Sequence, residues 1–362
     1  MEKKTYSVIT GTGSYIPSRV VKNEDFEKNV FYETNGTIIT KPGNEISDKF
    51  LEITTIAERR YVSDDMITTD MAFLAATEAI KAAGIDPEEL DYVIVATNFG
   101  DTTADNRAAD HIPAMSSKVK QKLGIKNPET VAYDITFGCP GWLQAVIQAD
   151  YFIKSGDAKK VLVIGAEVLS RISDPHDRDC MLYADGAGAV ILEGVESTTP
   201  IGIIAHKTRS DTLNHAGLLH MGPSYNPEFE NPKDLFLKMN GRRLYQYALE
   251  TVPQAIKACL DKSGYKIEDV KKVLIHQANG KMDDAILKRF YSLHGIEDAP
   301  FDVMPMTVHN LGNTSVATLP TLYDLILKDN IENHQINAGD VLIFASVGAG
   351  MNINAVVYKM TE

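Results

Sequence analysis

Cysteine is scarce in this chain of 362 residues: there are three, Cys139, Cys180 and Cys259. An odd number without paired spacing gives neither a disulfide framework nor a zinc ligand set, so no metal is expected and a reducing, cytoplasmic setting is favoured. Basic charge is also in short supply. Lys and Arg number 36 against 49 Asp and Glu, a formal net charge of −13, whereas a nucleic-acid partner calls for a basic footprint. Long apolar runs are missing, so no membrane span is expected, and MEKKTYSVITGTG has no apolar signal region before Gly11, so neither is export. What is present is 44% hydrophobic residues, enough for a large core in one large or two moderate domains.

The chain repeats itself once. The stretch Ala79–Asn98 (AIKAAGIDPEELDYVIVATN) and the run from Ala255 to Asn279 each read as a helix, a short loop with an acidic cap, and a buried strand. Gly186–Leu192 (GAGAVIL) and Gly348–Val357 (GAGMNINAVV) then close the two copies. A period near half the chain means two like halves, 1–195 and 196–362, joined in EGVESTTP. Within each half, β-branched strand patterns (Tyr92–Ala96, Val161–Gly165, Val273–Ile275, Val341–Ala345) alternate with helical periodicity (Met71–Ala83, Trp142–Lys154), which predicts α/β layering. Residues 31–58 and 206–235, rich in Asn, Gly, Pro and Ser, read as loops or insertions.

Four segments bear on chemistry. Gly11-Thr-Gly-Ser follows a strand but meets Pro17 rather than a helix, so the glycines read as a strand-end turn and not as a dinucleotide loop. In VAYDITFGCPGWLQAVIQADYFIKSG a strand pattern stops at Gly138 and an apolar helix follows. Pro140 suits its first position, and the helix dipole and free amides favour a thiolate at Cys139. His276 closes a strand, where ligands of open α/β sheets gather; taken alone it is as readily structural as catalytic. Asn313, in His309-Asn-Leu-Gly-Asn-Thr-Ser315, either caps the following helix or, by its repeat correspondence with Cys139, is a site residue.

Six motifs in order, Cys139-Pro-Gly, Ser173-Asp-Pro-His-Asp-Arg178, Asp185-Gly-Ala-Gly188, Ile275-His-Gln-Ala-Asn279, Gly312-Asn-Thr-Ser315 and Gly348-Ala-Gly350, resemble the β-ketoacyl-acyl carrier protein synthase III family over nearly the whole length. The resemblance implies a thiolase-like duplicated αβαβα fold and a catalytic triad of Cys139, His276 and Asn313. It implies an oxyanion site from the amides of Cys139 and Ala349, and substrate contacts from Arg178, Asn279, Gly348, Gly350 and, across a homodimer interface, Ile112. The reaction implied is a decarboxylating Claisen condensation through an acyl-cysteine, with acyl-coenzyme A or acyl carrier protein thioesters as substrates and no resident cofactor. Phe50 stands where the family has a tryptophan beside its coenzyme A-binding arginine, and the loop 99–110 is longer than usual.

A basic group, Lys281, Lys288 and Arg289 at helical spacing with Arg242 and Arg243, is suited to docking an acidic carrier protein on an otherwise acidic chain. Alternatives stay within the fold: resorcinol, polyketide or hydroxymethylglutaryl-type condensation, or a non-catalytic partner subunit. Proton-abstracting chemistry calls for a carboxylate; Ala96-Thr-Asn98 has none, leaving Asp101 and Asp105 as candidates. A thiolase would need a second cysteine near Ser346–Gly350, and there is none.

Overall fold

The computed structural model describes residues 2–300 and 302–361. In chain order its strands are β1 (Lys4–Tyr15), β2 (Arg19–Lys22), β3 (Glu58–Tyr61), β4 (Tyr92–Ala96), β5 (Val131–Ile135), β6 (Lys160–Val168), β7 (Asp185–Ser197), β8 (Gly202–Ser210), β9 (Leu219–Gly222), β10 (Phe236–Met239), β11 (Val270–Ile275), β12 (Val341–Gly348) and β13 (Asn352–Lys359). The helices are α1 (Gly43–Thr54), α2 (Thr68–Ala83), α3 (Met115–Lys122), α4 (Gly141–Ser155), α5 (Thr212–His215), α6 (Gly241–Ser263), α7 (Gly280–Ser292), α8 (Val308–Leu311) and α9 (Thr318–Leu327).

One mixed sheet has the order β1-β7-β6-β4-β5 and a second has β11-β12-β13-β8. The chain passes from the first to the second between β7 and β8. Helices α4 and α9 lie between the sheets, where Trp142, Leu143, Ile147, Leu322 and Tyr323 share a core with Val163 and Val190 of one sheet and Leu274 and Phe344 of the other. A helix covered on both sides has little need of a polar face, which explains the almost continuous apolar run of α4. Helix α2 covers the outer face of the first sheet and α6 with α7 that of the second. The result is the αβαβα layering of a thiolase-like fold, and the carboxyl ends of β4, β5 and β11 carry the loops described below.

Three local expectations need correction. Gly11 and Gly13 do not end a strand; β1 runs through them to Tyr15. A methyl group at either would overlap the α2 backbone at Ala79 and Ala75, so these glycines let a helix lie directly on the strand. The segment 31–58 is not all loop, because α1 occupies its second half with Ile46 and Thr54 buried; Pro42 and Gly43 mark the start of that helix and had weighted the composition toward turns. Segment 206–235 likewise contains the end of β8, α5 and β9.

Candidate active site

A cavity of about 780 Å³ opens among the loops at the strand ends, and Cys139, His276 and Asn313 all line it. Its exposed rim includes Lys41, Lys49 and Arg178, and its walls are largely apolar, with Phe50, Leu169, Leu219, Leu237, Met239 and Leu244.

Cys139 follows Gly138, whose φ of 65° belongs to the left-handed region. Only glycine adopts this readily, and a Cβ there would also lie 2.6 Å from the Ala349 amide nitrogen. Gly348 packs against the Cys139 amide just as tightly. The amides of Cys139 and Ala349 therefore belong to two chain segments in mutual contact, and neither is engaged in a backbone hydrogen bond among the described residues. Helix α4 begins at Gly141 with Pro140 as its N-cap, so the proline stands one position earlier than the sequence suggests.

The expected thiolate is not favoured by the resting site. Burial pushes the Cys139 thiol up to about 11, and the nearby Glu167 carboxyl pushes in the same direction, while the Ser315 hydroxyl, donating to Sγ at 3.3 Å, and the Cys139 amide oppose them. Desolvation is the largest of these influences.

His276 follows β11 and its amide donates to the Ala345 carbonyl at 2.8 Å, continuing the strand pairing. His276 is 3% exposed, its Nδ1 has no hydrogen-bond partner among the described residues, and burial lowers its pKa to about 4, so the ring is neutral. Gln277 fixes this turn: its Nε2 donates to the Pro305 carbonyl at 2.8 Å, and its Oε1 accepts from the amides of Thr307 (2.8 Å) and Val308 (2.9 Å). Asn279 caps α7 by accepting from the Met282 amide at 3.1 Å and lines the cavity.

Asn313 is bridged to the first half of the chain. Its amide donates to the Leu182 carbonyl and its carbonyl accepts from the Ala184 amide, both at 2.9 Å. Its Oδ1 accepts from the Ser315 amide at 2.9 Å. With Oδ1 held in this way, the carboxamide is fixed as a donor.

Sequence reasoning missed Glu167. The strand end Ala96-Thr-Asn98 lacks a carboxylate, but parallel pairing sets Ala96 beside Gly165, so the adjacent strand supplies one. Glu167 is enclosed, accepting from Thr97 Oγ1 (3.0 Å), the Asn98 amide (3.0 Å) and Asn98 Nδ2 (2.9 Å), and burial raises its pKa to about 7. Asn98 Oδ1 in turn accepts from the Gly138 amide at 2.9 Å. A glutamate in the apolar run VLVIGAEV was the available signal.

Residues 133–212 match the family model described as 3-oxoacyl-(acyl-carrier-protein) synthase III, and residues 260–360 match its C-terminal counterpart. A beta-ketoacyl-(acyl-carrier-protein) synthase III from Halalkalibacterium halodurans is 33% identical over 349 residues, covering 96% of each chain. The chain belongs to the synthase III family.

Among solved structures, the 3-oxoacyl-(acyl-carrier-protein) synthase III of Aquifex aeolicus superposes on this synthase III family member with a TM-score of 0.79 at 31% identity, covering 98% of this chain and 99% of the other. The priming β-ketosynthase of the R1128 polyketide pathway superposes at 0.78 with 27% identity, covering 100% and 98%.

The remaining expected residues divide. Arg178, Asn279, Gly348 and Gly350 line the cavity, with Arg178 also paired to Glu33 at 3.2 Å. Ile112 does not; it is 89% exposed and projects from the isolated chain. Lys281, Lys288, Arg289, Arg242 and Arg243 are exposed on the adjacent helices α7 and α6, but Arg243 lines a separate polar depression with Arg209, Asp211 and Tyr247. Asp101 and Asp105 are outside the cavity lining: Asp101 is buried on Thr69 and Lys118, and Asp105 accepts from Thr103.

Proposed function

We propose that this protein condenses an acyl thioester with a malonyl thioester, with loss of CO₂, through an acyl group held on Cys139. The reading rests on one observation, that Cys139, neutral His276 and a fixed Asn313 line one cavity beside the amides of Cys139 and Ala349, neither of which is in a backbone–backbone hydrogen bond among the described residues. Cys139 sulfur attacks the donor carbonyl, a carbon–sulfur bond forms, and the donor's own carbon–sulfur bond breaks to release its thiol. The amides of Cys139 and Ala349 hold the oxyanion. Malonyl thioester then loses CO₂, His276 and Asn313 donate to the thioester oxygen as charge develops there, and the resulting carbon nucleophile attacks the acyl carbon. Cys139 leaves as a thiolate.

This last step bears on the raised Cys139 pKa. Each condensation returns the sulfur in its ionised form, which takes up a proton from solvent between turnovers and loses it again before the next attack. A neutral imidazole donates from one nitrogen without placing a competing positive charge near the sulfur.

Reactions that remove a proton from the second substrate would need a carboxylate facing the substrate beside Cys139. Asp101 and Asp105 do not line the cavity, and Glu167 spends its oxygens on Thr97 and Asn98.

The donors are acyl-coenzyme A, acyl carrier protein or both, and the carrier docks on Lys281, Lys288 and Arg289 with Arg242 and Arg243 at the margin. The protein works in the cytoplasm as a homodimer: β5 is an open sheet edge with Val131 exposed, and Ile112 is an 89% exposed apolar side chain that a partner would cover. Intact-mass measurement after mixing with acyl thioesters tests the acyl-enzyme. A mass increment equal to the acyl group on Cys139 is expected; an increment on Cys180 or Cys259, or none with any thioester, contradicts the reading.

A further inference from the structure

Ser315 has a φ of 52°, a left-handed conformation that costs a non-glycine residue of order 1 kcal/mol or more. Two hydrogen bonds accompany it. The Ser315 amide donates to Asn313 Oδ1 at 2.9 Å, and the hydroxyl donates to Cys139 Sγ at 3.3 Å. Glycine would hold this turn without strain and would preserve the first bond, because that bond is made by the backbone. Only the second requires a serine.

The surroundings of the sulfur show why a donor matters there. Glu167 and desolvation both disfavour the thiolate, and Cys139 is half-buried. Tyr183, buried and electrically coupled to Cys139, has its phenol pushed further up and carries no positive charge. His276 shares the cavity and is neutral. Among the described residues, the groups that act on the sulfur are Glu167, the Ser315 hydroxyl and the Cys139 amide.

We propose that Ser315 is a further catalytic residue, whose hydroxyl donates to Cys139 sulfur both when it attacks the donor thioester and when it leaves the condensed product. In the attack, the Cys139 thiol gives up its proton to solvent, the sulfur lone pair forms the new carbon–sulfur bond, and the donor thiolate departs and takes a proton from solvent. In the product-forming step the Cys139 carbon–sulfur bond breaks and its electron pair returns to the sulfur. The serine keeps its proton throughout. It also links the two halves of the reaction, since the same residue orients Asn313 through its amide.

The proposal rests on the condensing reading for its catalytic meaning, but its principal test does not. Iodoacetamide alkylation of Cys139 is followed by intact mass and peptide mapping at about pH 7 to 9, with native protein, Ser315→Ala and Ser315→Gly. Alanine keeps the strained turn and glycine relaxes it; both remove the hydroxyl. Both variants are expected to alkylate about tenfold more slowly than native, equivalent to raising the thiol midpoint by about one pH unit. Any loss of malonyl decarboxylation, the step assigned to His276 and Asn313, should be smaller than the loss of alkylation. Native-like alkylation of either variant, or a loss of decarboxylation as large as the loss of alkylation, overturns the assignment. A native protein that no thioester acylates would defeat the condensing reading while leaving the alkylation result intact.

Discussion

Gly138-Cys139 and Gly312-Asn313 are comparable turns, one in each half of the chain. The glycines have φ of 65° and 67°, each is followed by a residue on the cavity, and a helix of the central layer comes next, α4 in one half and α9 in the other. In the proposed mechanism one half delivers a nucleophile and the other a donor. The two differ in the side chain and in what holds it. Cys139 depends on Gly138, which Asn98 and Glu167 brace, whereas Asn313 depends on Ser315 and on backbone pairing with Tyr183 and Ala184.

The most severe break is Cys139→Ala, which should abolish acyl transfer and condensation but leave malonyl decarboxylation, because the donors of the second half are intact. Product formation by this variant through an acyl-enzyme would contradict the division. Next come His276→Ala and Asn313→Ala. Each removes a donor to developing charge and should slow condensation roughly a hundred- to a thousandfold, while acylation of Cys139 stays close to native. Single-turnover measurement of each half separates the two.

Alanine at the paired glycines sharpens the comparison. A Cβ at Gly138 meets the Ala349 amide at 2.6 Å and one at Gly312 meets Arg59 Cβ at 2.8 Å, so both variants should lose about 1–3 kcal/mol of stability in denaturant titrations. They should differ in activity. Gly138→Ala should chiefly impair acylation, and Gly312→Ala decarboxylation; identical defects would mean that the turns are not functionally separate.

Much of this was legible in the chain. The abrupt stop at Gly138, the helix behind it and the repeat were enough to single out Cys139 and align Asn313, because those signals lie within a few residues of one another. Features that depend on distant neighbours were not. Gly11 and Gly13 read as a turn because nothing in β1 reveals that α2 lies against it. A helix start behind Cys139 is visible in sequence, whereas the desolvation that pushes its thiol up is not. Glu167 serves the end of β4 from β6, and only strand order places it there.

Smaller effects are expected at the edges of the site. Glu167 is raised from an ordinary 4.5 to about 7, so between these values the folded protein holds a proton that the unfolded chain releases, and stability from this group falls as pH rises through that window. Glu167→Gln removes that slope. The difference in unfolding free energy, native minus variant, should be larger near the lower end of the window than near the upper, and parallel pH curves would contradict it.

Smallest is the carrier surface. Charge reversal at Lys281, Lys288 and Arg289 should slow the reaction with carrier-borne substrate and spare an N-acetylcysteamine ester, with the effect shrinking as salt screens charges beyond about 10 Å at roughly 0.1 M. Equal losses with both substrates would place the damage in the pocket.

The division of labour between the halves is tested most directly by pulse and chase on His276→Ala, read by intact mass. An acyl thioester is supplied first and a malonyl thioester second. Native protein should gain the acyl increment on Cys139 and lose it in the chase, while His276→Ala should gain the same increment and retain it. Failure of His276→Ala to take up the acyl group would show that the second half prepares the nucleophile itself, and would contradict the account.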